Sequence, residues 1–125
     1  MPARYFTLEQ ANAILPQLRQ IVAGMLTARQ HIVDSKPEVW PVLEKAAGNG
    51  GSALATLVLE DFEIVQRGVK AIAAMGIELK DINTGLVDFL AERDGRDVYL
   101  CWRYDEPSVA FWHDLEAGFP GRQPL

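Results

Sequence analysis

The sequence has little cysteine and no recognisable export signal. Cys101 is the single cysteine, so no disulfide can form within the chain, and neither a second thiol nor a Cys-x-x-Cys pair accompanies it. The first ten residues contain no apolar segment of the kind found in a secretory signal. These features indicate a reducing compartment, and we expect the protein in the cytoplasm.

Long apolar runs and an excess of basic residues are also absent. No apolar stretch reaches the roughly 18 residues that a membrane-spanning helix requires. Only 12 lysines and arginines are scattered among 17 acidic residues, for a net charge of -5. Because nucleic-acid surfaces depend on clustered basic side chains, we expect no nucleic-acid partner and no membrane segment.

What the chain does contain is the composition of a globular protein. Hydrophobic residues make up 49% of it and charged residues 23%, far from the polar, highly charged composition of disordered chains. A length of 125 residues suits one domain. We therefore predict a single domain over residues 1–125, with a helical part at about 7–76, a β part at about 77–114 and a tail at 115–125.

The first helix has a clear start and an internal proline. Thr7 and Gln10 have the spacing of a capping box, so the helix should begin at about Leu8. Apolar residues then recur at intervals of three and four, as on a helix face that is buried. Pro16 removes one helical hydrogen bond and crowds the preceding turn, which predicts a kink or a break near this residue.

Two further helical segments follow. Residues 39–46 form a short, proline-punctuated piece, and residues 52–75 have a strong amphipathic pattern that ends at Gly76, a natural helix stop. We expect the two long helices to pair antiparallel as a hairpin. Apolar surface that the sheet does not cover would then be buried in a homodimer through the helices.

Glycines dominate the segment between the short helix and the long third one. Residues 48–51 read Gly-Asn-Gly-Gly, which is typical of a mobile linker. A phosphate-binding loop is the alternative, because a helix begins directly afterwards. It is the weaker interpretation, since the preceding strand and the Gly-Lys-Ser/Thr ending of such loops are both missing.

After Gly76 the apolar pattern changes from a period of 3.6 to a period of 2, which indicates strands. Strands are predicted at residues 77–82, 86–91, 98–104 and 109–113. Asp94-Gly95 is a strong hairpin signal. The fold class that follows is α+β, with a long antiparallel helical hairpin packed on a three- to four-stranded antiparallel β-meander.

The turns suggest a register for these strands. A two-residue turn at Asp94-Gly95 places Arg93 opposite Arg96, and a four-residue loop at 105–108 places Tyr104 opposite Val109. A slip of one residue would invert every face of a strand. Under this register one face is core-like and the other is mixed. The core-like face has Val87, Phe89, Val98, Leu100, Trp102, Phe111 and His113, and the mixed face has Leu86, Asp88, Tyr99, Cys101, Arg103, Ala110 and Trp112.

The mixed face brings Asp88 and Arg103 together. A carboxylate beside a guanidinium is normally held in its charged form, which suits structure or anion recognition better than acid catalysis. We interpret the pair as a structural salt bridge, with a ligand-binding role as the alternative. Cys101 lies in the middle of a strand, where cysteines are commonly unreactive packing residues.

A second polar cluster lies at the end of the last predicted strand. His113, Asp114 and Glu116 precede a glycine-rich tail that carries Arg122. An imidazole and a carboxylate can bind a divalent metal, so His113 and Glu116 are the candidate metal ligands, and Arg122 can meet an anionic ligand or clamp Asp114. The simpler alternative is that His113 closes a hydrophobic face by hydrogen bonding to a carbonyl.

Six short segments of the chain form a distinctive set: Arg4–Asn12, Lys80-Asp81, Gly85–Phe89, Leu100–Trp102, Phe111–His113 and Gly118–Gln123. Together they resemble one uncharacterised bacterial family, domain of unknown function family 2203. The resemblance implies a stand-alone cytosolic bacterial protein with two helical segments before a compact C-terminal part. It implies no activity. One departure is Leu90, where such sequences often have proline.

The residue patterns leave two hypotheses about function. The favoured one is a non-catalytic structural or interaction protein that acts as a homo-oligomer, because the helices are amphipathic and no catalytic constellation is recognisable. The alternative is a small-ligand or divalent-metal-binding protein with its site at the corner from His113 to Glu116. Under this alternative an enzyme is also open.

Overall fold

A computed structural model describes residues 3–48 and 53–125 of the chain. The helices come first: α1 (Leu8–Ser35), α2 (Trp40–Ala46), a 3-10 helix (Ala53–Val58) and α3 (Leu59–Ala74). The strands follow: β1 (Glu78–Asp81), β2 (Leu86–Arg93), β3 (Arg96–Arg103), β4 (Phe111–Asp114) and β5 (Gln123–Pro124), with a second 3-10 helix (Phe119–Gly121) before β5. The predicted α+β class is confirmed. The predicted linker at 48–51 lies, apart from Gly48, outside the described residues.

α1 begins at Leu8, as the capping box predicted. The Thr7 hydroxyl accepts a hydrogen bond from the Gln10 backbone N–H at 3.1 Å, and the Gln10 side chain accepts one from Thr7 at 2.9 Å. The sequence predicted a kink or a break near Pro16, and α1 runs through this residue as a single helix, so the chain does not break there. The neighbouring Leu15 and Leu18 are buried, and this packing offsets the roughly 3 kcal/mol that an internal proline costs.

The two long helices form the predicted antiparallel hairpin. His31 of α1 meets Asp61 of α3, and Met25 packs against Gly68, so the contacts run in opposite order along the two helices. The segment predicted as one helix is a 3-10 helix followed by α3. The end of α3 lies just before Gly76, as predicted. The φ of Gly76 is 78°, in the left-handed region that favours glycine.

The strands form one antiparallel sheet in the order β1-β2-β3-β4-β5. It has five strands where three or four were predicted, because the tail residues Gln123–Pro124 pair with β4. The β2–β3 hairpin has the predicted register, with Arg93 opposite Arg96. Asp94 and Gly95 have φ values of 53° and 80°, and a two-residue type I′ turn requires positive φ at both of these positions.

The predicted register of β4 is wrong by one residue. Tyr99 lies opposite His113, whereas the expected pair of Tyr104 with Val109 does not form. Residues 104–110 make a longer loop, and side chains of α1 hold it. Asn12 accepts a hydrogen bond from the Val109 backbone N–H at 2.8 Å, and Arg19 donates to the carbonyl of Tyr104 at 3.3 Å. These contacts are distant in sequence, so turn geometry alone could not reveal them.

The one-residue shift in register exchanges the two faces of β4. Trp112 now belongs to the face that packs against α1, where it is 7% exposed, and His113 belongs to the opposite face. The core-facing set is completed by Val87, Phe89, Ala91, Val98, Leu100 and Trp102, packed on Leu15, Leu18, Val22 and Met25. Within the described part of the chain, no helix has the length and apolar character to cross a membrane.

Asn83 ties the β1–β2 turn to the helices. Its side-chain oxygen accepts hydrogen bonds from Arg29 Nε at 2.6 Å and from Trp40 Nε1 at 3.0 Å. Its amide nitrogen donates to Glu44 at 2.9 Å and to Asp81 at 3.2 Å. All four hydrogen-bonding positions of the amide are therefore used, which is the complete capacity of an asparagine.

We expect Asn83→Ala to lower the free energy of unfolding by about 2 to 3 kcal/mol, because it leaves the Trp40 N–H and the Arg29 guanidinium without their acceptor. Asn83→Asp keeps the acceptor but places a carboxylate against Glu44 and Asp81, so it should also destabilise. Urea unfolding followed by circular dichroism measures both. Thr84→Ala, which removes a single exposed hydrogen bond to Asp81, is the control and should cost much less.

Candidate functional site

Three polar side chains meet on the sheet face that points away from α1. Asp88 comes from β2, Cys101 from β3 and His113 from β4. Asp88 lies directly opposite Cys101, while His113 lies opposite Tyr99 and thus diagonal to Cys101. The sheet therefore supplies one group from each of three neighbouring strands, and strand pairing fixes their positions.

The group is tight and shielded from water. His113 Nε2 is 3.1 Å from Asp88 Oδ1. One ligand atom from each of Asp88, Cys101 and His113 can be chosen so that all lie within 4.8 Å of one another. The three residues are only 3%, 0% and 1% exposed. Within residues 3–48 and 53–125, no other trio of histidine, cysteine or acidic side chains brings such atoms together as closely.

The hydrogen bonds determine how many protons the cluster holds. His113 Nδ1 lies 2.7 Å from the carbonyl oxygen of Asp114, and because a carbonyl can only accept, Nδ1 must carry a hydrogen. The contact between His113 Nε2 and Asp88 then needs one further proton. It is either an imidazolium beside a carboxylate or an imidazole beside a carboxylic acid. Both arrangements are neutral as a pair, which lowers the cost of burial.

Cys101 joins this cluster as a neutral thiol. Its burial, followed by the negative charge of Asp88, raises the pKa of the Cys101 thiol to about 12. At physiological pH the sulfur therefore keeps its hydrogen and can donate it to Asp88. A thiol in this state is a poor nucleophile, since the thiolate is the reactive form.

We expect Cys101 to react very slowly with a thiol reagent such as Ellman's reagent at pH 8 in the folded protein, because it is both inaccessible and protonated. In denaturant one thiol per chain should react at once. The absorbance of the released reagent measures both, and because the chain has no other cysteine the signal has a single source. Rapid reaction of the native protein would contradict the burial of this face.

Tyr99 stands between the cluster and the edge of the sheet. Its ring centre is 5.6 Å from that of His113, and Lys80 Nζ lies 5.4 Å from the tyrosine ring centre on another side. A hydrogen bond to Glu78, together with burial, raises the pKa of the Tyr99 hydroxyl to about 12. The hydroxyl thus remains protonated and donates to the Glu78 carboxylate.

The C-terminal tail covers the other end of this face through Arg122. The guanidinium donates to Glu106 at 2.7 Å and to the carbonyl of Cys101 at 3.3 Å. It also lies over the rings of Phe111 and Phe119, 4.1 and 4.6 Å from their centres. A planar cation that stacks on two rings while donating hydrogen bonds can fasten the tail to the sheet.

The predicted partners of the arginines were wrong. Arg103 does not pair with Asp88 but binds Asp105 through two hydrogen bonds of 2.7 and 3.1 Å, and this contact lowers the pKa of the Asp105 carboxyl. Asp114 meets Arg96 at 2.6 Å rather than Arg122. The prediction for Arg103 rested on its strand face alone, whereas its guanidinium binds Asp105 in the loop that follows. The Arg122 guanidinium binds Glu106 of the same loop.

The structure separates the two residues predicted as metal ligands. His113 is buried in the cluster, while Glu116 is exposed in the turn after β4 and is not among the grouped side chains. The sequence pattern favoured a packing role for Cys101, and the predicted register placed Cys101 and His113 on opposite faces of the sheet. The signal that could have joined them is Trp112, because a register that buries this large side chain opposite Leu100 also turns His113 toward Asp88.

The combination of donors is chemically selective. A thiolate, an imidazole and a carboxylate are ligands of Zn²⁺ and similar divalent transition metals. Three such ligands leave a fourth position of a tetrahedral ion open. The hydrogen bond from His113 Nδ1 to the Asp114 carbonyl leaves Nε2 as the nitrogen that faces the other two groups, which is the usual outer support of a metal-bound histidine.

The fold and the site define an α+β protein in which a helical hairpin covers one face of a five-stranded antiparallel sheet, with a buried Asp-Cys-His cluster on the other face. Residues 4–125 match the sequence model of the family described as "Uncharacterized conserved protein (DUF2203)", so the chain belongs to this family. The resemblance seen in the motifs is confirmed. No curated protein and no solved structure matches the chain.

Proposed function

We propose that the protein binds one divalent transition-metal ion of the zinc type through Asp88, Cys101 and His113. The observation that carries this proposal is the closeness of the three ligand atoms, all within 4.8 Å on three paired strands. Groups held by strand pairing keep their geometry better than groups on loops, which favours a specific ion. His113 is common to this set and to the pair predicted from the sequence.

The electrostatics of the cluster are compatible with this role. Metal ligands bind in their deprotonated forms, so an ion takes the place of the protons that now join the three groups. The raised pKa of the Cys101 thiol does not prevent this, because the charge of a bound ion reverses the local preference and deprotonates a coordinating thiol. A free thiol is kept reduced most readily in a reducing compartment, and we retain the cytoplasm as the expected location.

The test is titration of chelator-treated protein with Co²⁺, a spectroscopic substitute for Zn²⁺. We expect one equivalent to bind and to produce the near-ultraviolet charge-transfer band of a cobalt–thiolate bond, which Zn²⁺ then removes. Cys101→Ser should abolish the band. His113→Gln should weaken binding by about 100-fold or more, because one of only three protein ligands is lost.

The chain offers a matched control in its other histidine. The His31 side chain is 62% exposed and lies beside Asp61 on the helical hairpin, so His31→Gln should bind Co²⁺ like the wild type. Circular dichroism of each variant checks that it is folded. If the wild type takes up no ion, or if the two histidine variants behave alike, the cluster is a structural hydrogen-bonded network and the proposal fails.

A second candidate function, homo-oligomeric assembly through the helical part, has its own observation. The apolar stripes of α1 and α3 are buried within the chain. Large apolar side chains remain exposed where α2, the first 3-10 helix and the start of α3 meet: Val42 is 44% exposed, Leu57 52% and Leu59 50%. We propose that this patch is the contact between copies of the chain.

We expect the double variant Leu57→Glu with Leu59→Glu to shift the mass measured by light scattering from a dimer to a monomer, because charges are costly in a desolvated interface. Leu115→Glu is the control, since Leu115 is similarly exposed, at 46%, but lies on the turn after β4. A wild type that is monomeric at micromolar concentration would contradict this assembly.

A further inference from the structure

A cavity of about 560 Å³ lies beside the strand edge, between the N-terminal segment and the end of α3. The residues that matter for its chemistry are Arg4, Gly76, Glu78, Leu90 and Tyr99. Its volume falls within the range of small-molecule sites, roughly 300 to 1,000 Å³. We propose that this cavity binds a small organic monoanion with an apolar body. The proposal does not depend on the metal site.

Arg4 supplies the positive charge in a fixed position. Its Nη1 donates to the carbonyl of Met75 at 2.7 Å, and its guanidinium carbon lies 4.3 Å from the ring centre of Phe6. Among residues 3–48 and 53–125, no acidic side chain forms an ion pair with it. A guanidinium has five N–H groups, so several remain for a ligand, and holding the group in place lowers the entropy lost on binding.

The other charges near the cavity balance each other. Glu78 lies 3.8 Å from Lys80 and also accepts the hydrogen bond of the Tyr99 hydroxyl. Glu78 is thus already partnered, whereas Arg4 keeps N–H groups that no acidic side chain of the described residues uses. The free donors of a single guanidinium favour a ligand with one negative charge, and their fork matches a carboxylate best.

The remaining walls are apolar and small. Leu90, Ile77, Ala73 and Ala74 line them. Gly76 lets Arg4 approach closely, because a Cβ atom at this position would lie 2.9 Å from the Cβ of Arg4. A flat or branched hydrocarbon body therefore fits beside the guanidinium.

The experiment is a titration of ¹⁵N-labelled protein with benzoate, followed by amide chemical shifts. We expect benzoate to shift the amides of Gly76, Glu78 and Leu90, and to bind at least ten-fold more tightly than the neutral benzamide, because a hydrogen bond to a charged group contributes more than one to a neutral group. Arg4→Gln should remove this ten-fold difference while leaving benzamide binding unchanged.

Two further variants keep the outcome clear. Ala74→Trp fills the cavity from an exposed position at the end of α3, so it should abolish the shifts without unfolding the protein. Arg67→Gln removes the same charge from an exposed position elsewhere on α3 and should bind benzoate like the wild type. Equal binding of benzoate and benzamide, or shifts that map elsewhere, would overturn the proposal. So would preferential binding of a peptide through its C-terminal carboxylate.

Discussion

The pairing of Tyr99 with His113 is the constraint on which the sheet and its polar face depend. It places Trp112 among the core residues that pack on α1 and turns His113 toward Asp88. A shift of one residue would exchange these positions and bury an unpaired imidazole against leucine and valine side chains. Two contributions therefore favour this register. The large ring of Trp112 is buried, and the polar ring of His113 finds hydrogen-bond partners.

The buried polar cluster is stable because its members neutralise each other. A lone carboxylate or imidazolium at this depth would cost several kcal/mol. Asp88 and His113 share a proton, and the neutral Cys101 thiol adds a donor to the carboxylate. The same three groups offer sulfur, nitrogen and oxygen at close range, so an arrangement that is satisfied by protons can also accept an ion. The cluster thus connects the stability of the sheet with the function proposed for it.

The predictions that were correct rest on chemistry within a few residues. Thr7 and Gln10 define the start of α1 because both partners of a capping box lie in one helical turn. Gly76 ends the third helix, and Asp94-Gly95 turns the hairpin, because these positions need positive φ values. The predictions that were wrong needed distant partners. The register of β4 is one such case, because side chains of α1 hold the loop that precedes this strand.

The candidate site shows the same division. The sequence by itself determined that Asp88 and Cys101 face each other, because the hairpin turn fixes the β2–β3 register locally. Only the tertiary structure decided that His113 joins them, since Asn12 and Arg19 of α1 set the length of the loop before β4. A turn encodes its own geometry in adjacent residues, but a loop held by a helix far along the chain takes its length from packing.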